Sequence, residues 1–478
     1  MPWLLRVRVA DRHAPTDAGA FLGTLLHAPH RSARLLSYAR HVPLRSAGAR
    51  SVLKISTLYV PIFLFVLLVF SGVTWSAVDS QVAVDAGEDG AIGLFSGKAG
   101  LLGGLALAAV YLPALRNPFR SLGGQLCLFY LLALASVAWA SSPGTTLFAL
   151  ANFTLILATA MLAQRLLGLA TALRLVWLLG TALILLSVAM AMIGDPHALM
   201  GGMHAGRWRG LFAHKNSFGQ FVAINLLIAL FAQPSMKLPP LLVYAMVAID
   251  LAALVLANSA TADIAVAAGL VTGFALLPIR NRALRGLWRL TAIGGVCAAG
   301  AAMVMEPAVM GEMLGRDATM SGRSAMWAQA MPMTVERALG TGYGTGGGAQ
   351  VSIELQKRMH RAINLSVQSG YINLALELGW GAVWLYLLWA GGGAAAVLFS
   401  RRPSAGQTVL VALLAADMVE SISEVNGCFA PSWLLLVLLL PMIDVRRSLR
   451  PRLRLIARRH ARPASLPGAG AHPISASH

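Results

Sequence analysis

Runs of about 20 consecutive apolar residues recur along most of this chain, and in a bilayer a segment of that length satisfies its backbone only as a helix. Of the 478 residues, 57% are hydrophobic and only 12% are charged. A soluble domain carries about 25% charged residues. The pattern therefore predicts one all-α polytopic membrane domain of about twelve transmembrane helices with terminal tails. The expected spans are 55–75, 94–113, 122–140, 146–164, 175–193, 216–232, 239–257, 261–279, 288–306, 371–398, 406–424 and 431–443.

The net charge of +19 would point to nucleic acid in a soluble protein. Here most bases lie between spans and at the two ends, where they set topology and meet anionic lipid headgroups. Membrane lipids are thus expected partners, and nucleic acid is not. The tail 1–54 is basic, whereas the segment 78–90 holds Asp79, Asp85, Glu88 and Asp89 and no base. That asymmetry runs the first span from inside to outside and reads it as an anchor rather than a cleaved leader. Both ends then lie inside. The organisation is a basic tail (1–54), spans one to nine (55–306), a long outer loop (307–370), spans ten to twelve (371–443) and a basic, partly disordered tail (444–478). Cys127 and Cys297 lie within apolar spans, so with Cys428 they imply no disulfide framework.

Bases are normally depleted from outer loops, yet nearly all of those on this side gather in two of them. The first is 204–219, His-Ala-Gly-Arg-Trp-Arg-Gly-Leu-Phe-Ala-His-Lys-Asn-Ser-Phe-Gly. Arg207, Arg209, His214, Lys215 and Asn216 there suit an anionic substrate, because a guanidinium offers a planar fork to phosphate oxygens. The helix expected to begin near Asn216, capped by Asn216 or Ser217, adds a partial positive charge. The bland reading is contact with lipid headgroups.

The second loop, 307–370, has helix-like stretches at 324–337 and 351–361 around a glycine-rich turn, and is expected to form a partly helical cap. In it Arg316 and Arg323 suit phosphate or sugar, Asp317 can orient one of them, and Trp327 and Tyr343 offer faces for a sugar ring. The bland alternative is a structural turn closed by an Arg–Asp pair. The glycine cluster 340–348 lacks the Lys-Ser/Thr of a nucleotide loop, which excludes ATP binding on that motif. Gln368, Tyr371, Asn373 and Glu377 follow at near-helical spacing where span ten opens. Glu377 would sit within the membrane, as would Asp250, Asp263, Asp417 and Glu420. Ionisable groups there are functional candidates, with pairing between helices as the plain alternative. The sequence holds no HExxH or CxxC, so neither metal nor cofactor is expected.

Four motifs carry a resemblance: Arg-Gly-x-Phe-x-His-x-Asn-x-x-Gly at 209–219, Gly-Arg-Asp-x-Thr-x-x-Gly-Arg-x-x-x-Trp at 315–327, Gly-Tyr-Gly at 342–344, and Gly-Tyr-x-x-x-x-x-Glu-x-Gly at 370–379. In that order they resemble the O-antigen ligase-like membrane proteins, nearest to exopolysaccharide polymerases of the succinoglycan type. The resemblance implies a GT-C-like glycosyltransferase of the bacterial inner membrane. Such an enzyme moves a glycan from undecaprenyl diphosphate to an acceptor hydroxyl on the periplasmic side, with inversion and without a metal. The acceptor is lipid A–core for ligases and another lipid-linked repeat for polymerases, and chain-length regulators are partners in such systems. By the same resemblance Arg209 and its neighbours bind the diphosphate. One departure stands out: the family's histidine before Gly-Tyr is here Gln368, followed by Ser369. An amide cannot accept a proton near neutral pH, which leaves His360 and Glu377 as candidate bases. The rival classes are a lipid-linked oligosaccharide flippase, a non-catalytic assembly subunit and, behind them, a protein-glycosylating ligase.

Overall fold

The computed structural model describes residues 47–73, 122–305, 323–345, 349–360, 367–400, 402–425 and 427–460. The chain divides into Met1–Leu58 and Tyr59–His478, and the boundary falls inside the first helix described, α1 (Ala47–Phe70). The second unit contains the helical bundle: α2 (Gly124–Ala135), α3 (Pro143–Leu166), α4 (Leu169–Met192), α5 (Lys215–Met236), α6 (Pro240–Ala257), α7 (Ala260–Ala275), α8 (Arg282–Met305), α9 (Arg323–Glu336), α10 (Ala349–Met359), α11 (Gly370–Leu378), α12 (Trp380–Leu398), α13 (Ala405–Glu420) and α14 (Trp433–His460). Among the described residues no strand forms, only the isolated bridges Leu199–Trp208 and Val73–Phe212. Six helices, α3, α4, α5, α6, α8 and α12, are long and apolar enough to cross a membrane, as in a multi-pass membrane protein. The apolar run 94–113 lies outside the described residues.

At the centre, α7 packs against α5 and α13. Small residues permit the close approach. A Cβ at Gly269 would stand 2.6 Å from the Leu227 side chain and 3.0 Å from the Ala412 carbonyl. Between apolar helices in lipid, such van der Waals contact replaces the hydrophobic drive available in water.

Two elements differ from expectation. The run 371–398 is not one helix but breaks at Gly379, whose φ is +79°. The turn after α9 enters the break: Thr341 N–H donates to the Leu376 carbonyl (2.9 Å) and Gly342 N–H to the Glu377 carbonyl (2.9 Å). Carbonyls freed inside a membrane domain need such partners, and the turn supplies them. The last apolar run also continues as helix well beyond 443, through the arginines to His460. Arginine is a good helix former, so the end of the apolar stretch is not the end of the helix.

The turn 338–345 is held from below by the chain after α13. The Tyr343 hydroxyl donates to the Phe429 carbonyl (2.7 Å). Phe429 meets Phe129, Tyr386 and Trp389 at centroid distances of 4.4, 5.2 and 5.1 Å. Tyr343 is 1% exposed, so it is a structural anchor and not the sugar-stacking face expected of it.

Candidate functional site

One end of the bundle gathers the N-terminus of α5, the start of α9, the entry to α11 and the turn after α13. The loop 193–214 leads into it. Gly210 (φ +56°) lets that loop pass over α4, where a Cβ would stand 2.2 Å from Ser187 Cβ. The Ser187 hydroxyl accepts from Leu211 N–H at 3.2 Å.

The cap of α5 is His214 rather than Asn216 or Ser217: its Nδ1 accepts the Asn216 N–H at 3.1 Å. An imidazole that accepts through Nδ1 carries its proton on Nε2. Burial first, then Lys215, His204, Arg323 and Arg209, lower its pKa to about 4, so the ring is neutral at physiological pH. His204 packs edge-on against it at 5.7 Å. His204 Nδ1 accepts from Arg207 Nη1 at 3.2 Å, since a guanidinium has no acceptor.

Asn216 is the hub. Its Oδ1 accepts from Ser259 Oγ (3.1 Å) and Lys215 Nζ (3.2 Å). Its Nδ2 donates to Glu424 Oε1 at 2.8 Å. The same Glu424 oxygen accepts from Arg323 Nη2 at 2.9 Å, while Arg323 Nε donates to Gln368 Oε1 at 2.8 Å. The segments around 216 and 323 thus meet at the Glu424 carboxylate, and the segment around 368 joins them through Arg323. Sequence reasoning missed Glu424. It follows Asp417 and Glu420 and reads as one more acid of an apolar span, and its position at the end of the expected span 406–424 was the one available signal.

Arg209 is anchored by the carbonyls of His197 (Nε, 2.9 Å) and Ala213 (Nη1, 3.4 Å). It is close enough for its charge to act on His214. Arg207, Arg209, His214, Asn216, Arg323 and Gln368 therefore form one neighbourhood.

Other candidates are buried, engaged by other partners or placed elsewhere. Lys215 is 1% exposed and its ammonium donates to the Asn258 carbonyl at 2.7 Å. It is a buried cation at the C-terminal end of α6, favoured there by the helix dipole, rather than an open ligand. Lys215→Met should lower stability by about 2 kcal/mol, the worth of a charged hydrogen bond. Chemical unfolding in detergent measures this, and an unchanged midpoint would refute that seat for the ammonium. Trp327 donates Nε1–H to the Val367 carbonyl (3.0 Å) and packs between two apolar clusters. Tyr371 donates to the Met418 carbonyl (2.8 Å) and lines an apolar cavity of about 540 Å³ beside α8 and α13. Glu377 accepts from Asn373 Nδ2 (3.0 Å) beneath the glycine turn. His360 is exposed at the end of α10. Arg358 joins α9 to α10 through Glu336 (2.6 Å) and Glu354 (3.0 Å), a brace within the loop. Arg316 and Asp317 lie outside the described residues.

Among the described residues no group of three or more His, Cys, Asp or Glu is placed to hold a metal. What the neighbourhood offers is fixed guanidinium and amide donors at a helix N-terminus, an arrangement that can hold an anion and stabilise charge developing on it. No protein-family model, curated protein or solved structure matches this chain.

Proposed function

We propose that this chain is a bacterial inner-membrane glycosyltransferase that moves a glycan from undecaprenyl diphosphate to an acceptor hydroxyl on the periplasmic side, in polymerisation of repeats or in ligation. On this reading about twelve spans of GT-C-like arrangement place both termini in the cytoplasm, and the gathered end of the bundle faces the periplasm. The observation that carries the proposal is the meeting of Arg207, Arg209 and Arg323 around the α5 N-terminus. The leaving diphosphate gains charge as the glycosidic bond breaks, and guanidinium groups fixed in a partly dry site stabilise it without reorganisation, usually the largest catalytic term. The motif resemblance at 209–219, 315–327 and 370–379 supports the same chemistry. The apolar cavity beside Tyr371 supplies volume for a lipid chain within the membrane.

The test is the lipid-linked glycan profile of cells lacking the chain, complemented with wild type or Arg209→Ala. Accumulated single repeats with loss of surface polymer mark a polymerase, and accumulated long lipid-linked chains mark a ligase. Arg209→Ala should reproduce the deletion while reaching the membrane at normal level. An unchanged profile in the deletion strain would sink the reading.

One observation favours a flippase instead. Asp417 and Glu420 are buried within α13, at 1% and 3% exposure, as membrane carboxylates in transport paths are. Labelling of Arg209→Cys and Arg323→Cys from both sides of the membrane would favour it, and labelling from outside alone would count against it.

A further inference from the structure

Transfer to a hydroxyl requires somewhere for the proton to go, and the expected histidine position is Gln368, whose amide cannot take it. The other described candidates fail on geometry. His214 Nδ1 is occupied by the Asn216 N–H and its Nε2 carries the proton, so neither nitrogen is open as a base. His204 Nδ1 is occupied by Arg207. His360 is exposed at the end of α10. Glu377 is joined to Asn373 beneath the turn.

Glu424 differs from all of these. Its Oε1 is fixed by two donors, Asn216 Nδ2 and Arg323 Nη2. Its Oε2 meets no donor among the described residues, and it is not one of the sealed polar atoms of the interior. The side chain keeps 17% of its exposure. One oxygen is thus held in place and the other is open to the site.

We infer that Glu424 is the proton acceptor of this site, a role that rests on the transferase reading. In the step, the acceptor oxygen forms its bond to the sugar C1 and its proton passes to Glu424 Oε2. The C1–O bond to the diphosphate breaks, and the electron pair leaves with the diphosphate toward the arginines. Atoms and charge balance with no further reactant. Arg323 then has two functions, holding the carboxylate and facing the leaving group.

The surroundings suit a base. Burial, the largest effect, raises the Glu424 pKa above the usual carboxylate range, and Arg323, Asn216 and Lys215 pull it back. The charged and titratable groups facing it are Arg323 from α9, Lys215 from α5 and Glu420 from α13, with His214 neutral beside them. On the α7 side the neighbours are uncharged: Ser259 bonds Asn216, and Thr261 bonds Ser423.

The experiment uses the full-length protein in proteoliposomes, with the lipid-linked glycan extracted from cells lacking this chain as donor and, in parallel samples, lipid A–core added as acceptor. Glu424→Gln retains an Oε1 that accepts from Asn216 and Arg323, so the fold should persist, with an unfolding midpoint lowered because the Arg323 charge loses its anion. Transfer should fall about 10²–10⁴-fold, the usual worth of a positioned base. Wild type should lose rate as the pH drops through the Glu424 pKa, because protonation removes the acceptor, and the residual Glu424→Gln rate should lack that acid limb. Glu424→Asp should recover part of the rate together with the limb, which a purely structural role would not produce. If Glu424→Gln transfers within about threefold of wild type with the same pH profile, the role is wrong and the transferase reading stands. If folded wild type fails to convert the extracted lipid, the transferase reading fails and the proton-acceptor role falls with it.

Discussion

Arg323→Met should abolish transfer and also cost the empty protein about 3 kcal/mol of stability, the low end for breaking a buried ion pair. The two effects have one origin. Arg323 and Glu424 keep only 13% and 17% of their side-chain exposure. Removing the guanidinium leaves Glu424 with the Asn216 amide (2.8 Å) as its hydrogen-bond donor, and with the Lys215 charge nearby. That remaining charge is why the loss sits at the low end. It also unfastens α9 from Gln368 and from the turn after α13, since Nε and Nη2 serve the two partners separately. Arg323→Lys should rescue little, because an ammonium is a point charge and cannot reproduce the fork. Arg323→Met/Glu424→Gln should regain most of the stability, because neither member of the pair is then left as a charge without the other, yet remain inactive. Chemical unfolding in detergent and complementation of a deletion strain read the two effects. Wild-type stability in the single variant would show that the pair does not join α9 to α13.

The cation logic of this end of the molecule was legible because topology and charge are both one-dimensional signals. Apolar runs assign each loop an expected side, and arginine gathered where bases are expected to be scarce stands out without knowledge of any contact. That was enough to select Arg207, Arg209, His214, Asn216 and Arg323, while Gln368 was found by its spacing with Tyr371 and by the motif resemblance. It was not enough to sort them from bases with other work. Lys215 sits between two of them in sequence, but its helical register directs it to the Asn258 carbonyl, and Arg358 pairs within its own loop. Glu424 was illegible for the converse reason. Its importance lies in which residues reach it, and Asn216 and Arg323 are 208 and 101 positions away. Tyr343 reads in the sequence as a face for a sugar ring, with a glycine on either side. In the structure those glycines let the chain press in: a Cβ at Gly342 would stand 2.5 Å from Ala140 Cβ, and one at Gly344 2.4 Å from Ala149 Cβ. The break at Gly379 left no mark on the apolar pattern, because its cause is a turn arriving from 338–342.

That turn makes Gly340→Ala the most damaging small substitution expected in the protein. Gly340 has φ +72°, and a Cβ there would stand 2.3 Å from the Glu377 carbonyl carbon and oxygen and 2.5 Å from Leu378 N. All three are backbone atoms and cannot swing aside. Left-handed backbone alone costs a non-glycine residue about 1–2 kcal/mol, and the collision should bring the total beyond about 4 kcal/mol, the exceptional range for one change. The facing residue is equally constrained: a Cβ at Gly379 (φ +79°) would stand 2.2 Å from the Ala338 carbonyl oxygen. Separating the two would also strand the Leu376 and Glu377 carbonyls, now bonded by Thr341 and Gly342, within a membrane domain where water cannot replace those donors. Gly340→Ala should therefore fail to accumulate in the membrane. The comparison is Gly381→Ala, two residues past the break, where a Cβ would meet nothing within 4 Å. There alanine should be neutral or slightly stabilising through its better helix propensity. Membrane levels of the two variants by immunoblot decide the matter, and equal accumulation would mean that the turn does not seat in the helix break. Because the turn leads out of α9, its loss should also displace Arg323 from Glu424, so any Gly340→Ala protein rescued at low temperature should remain inactive in complementation.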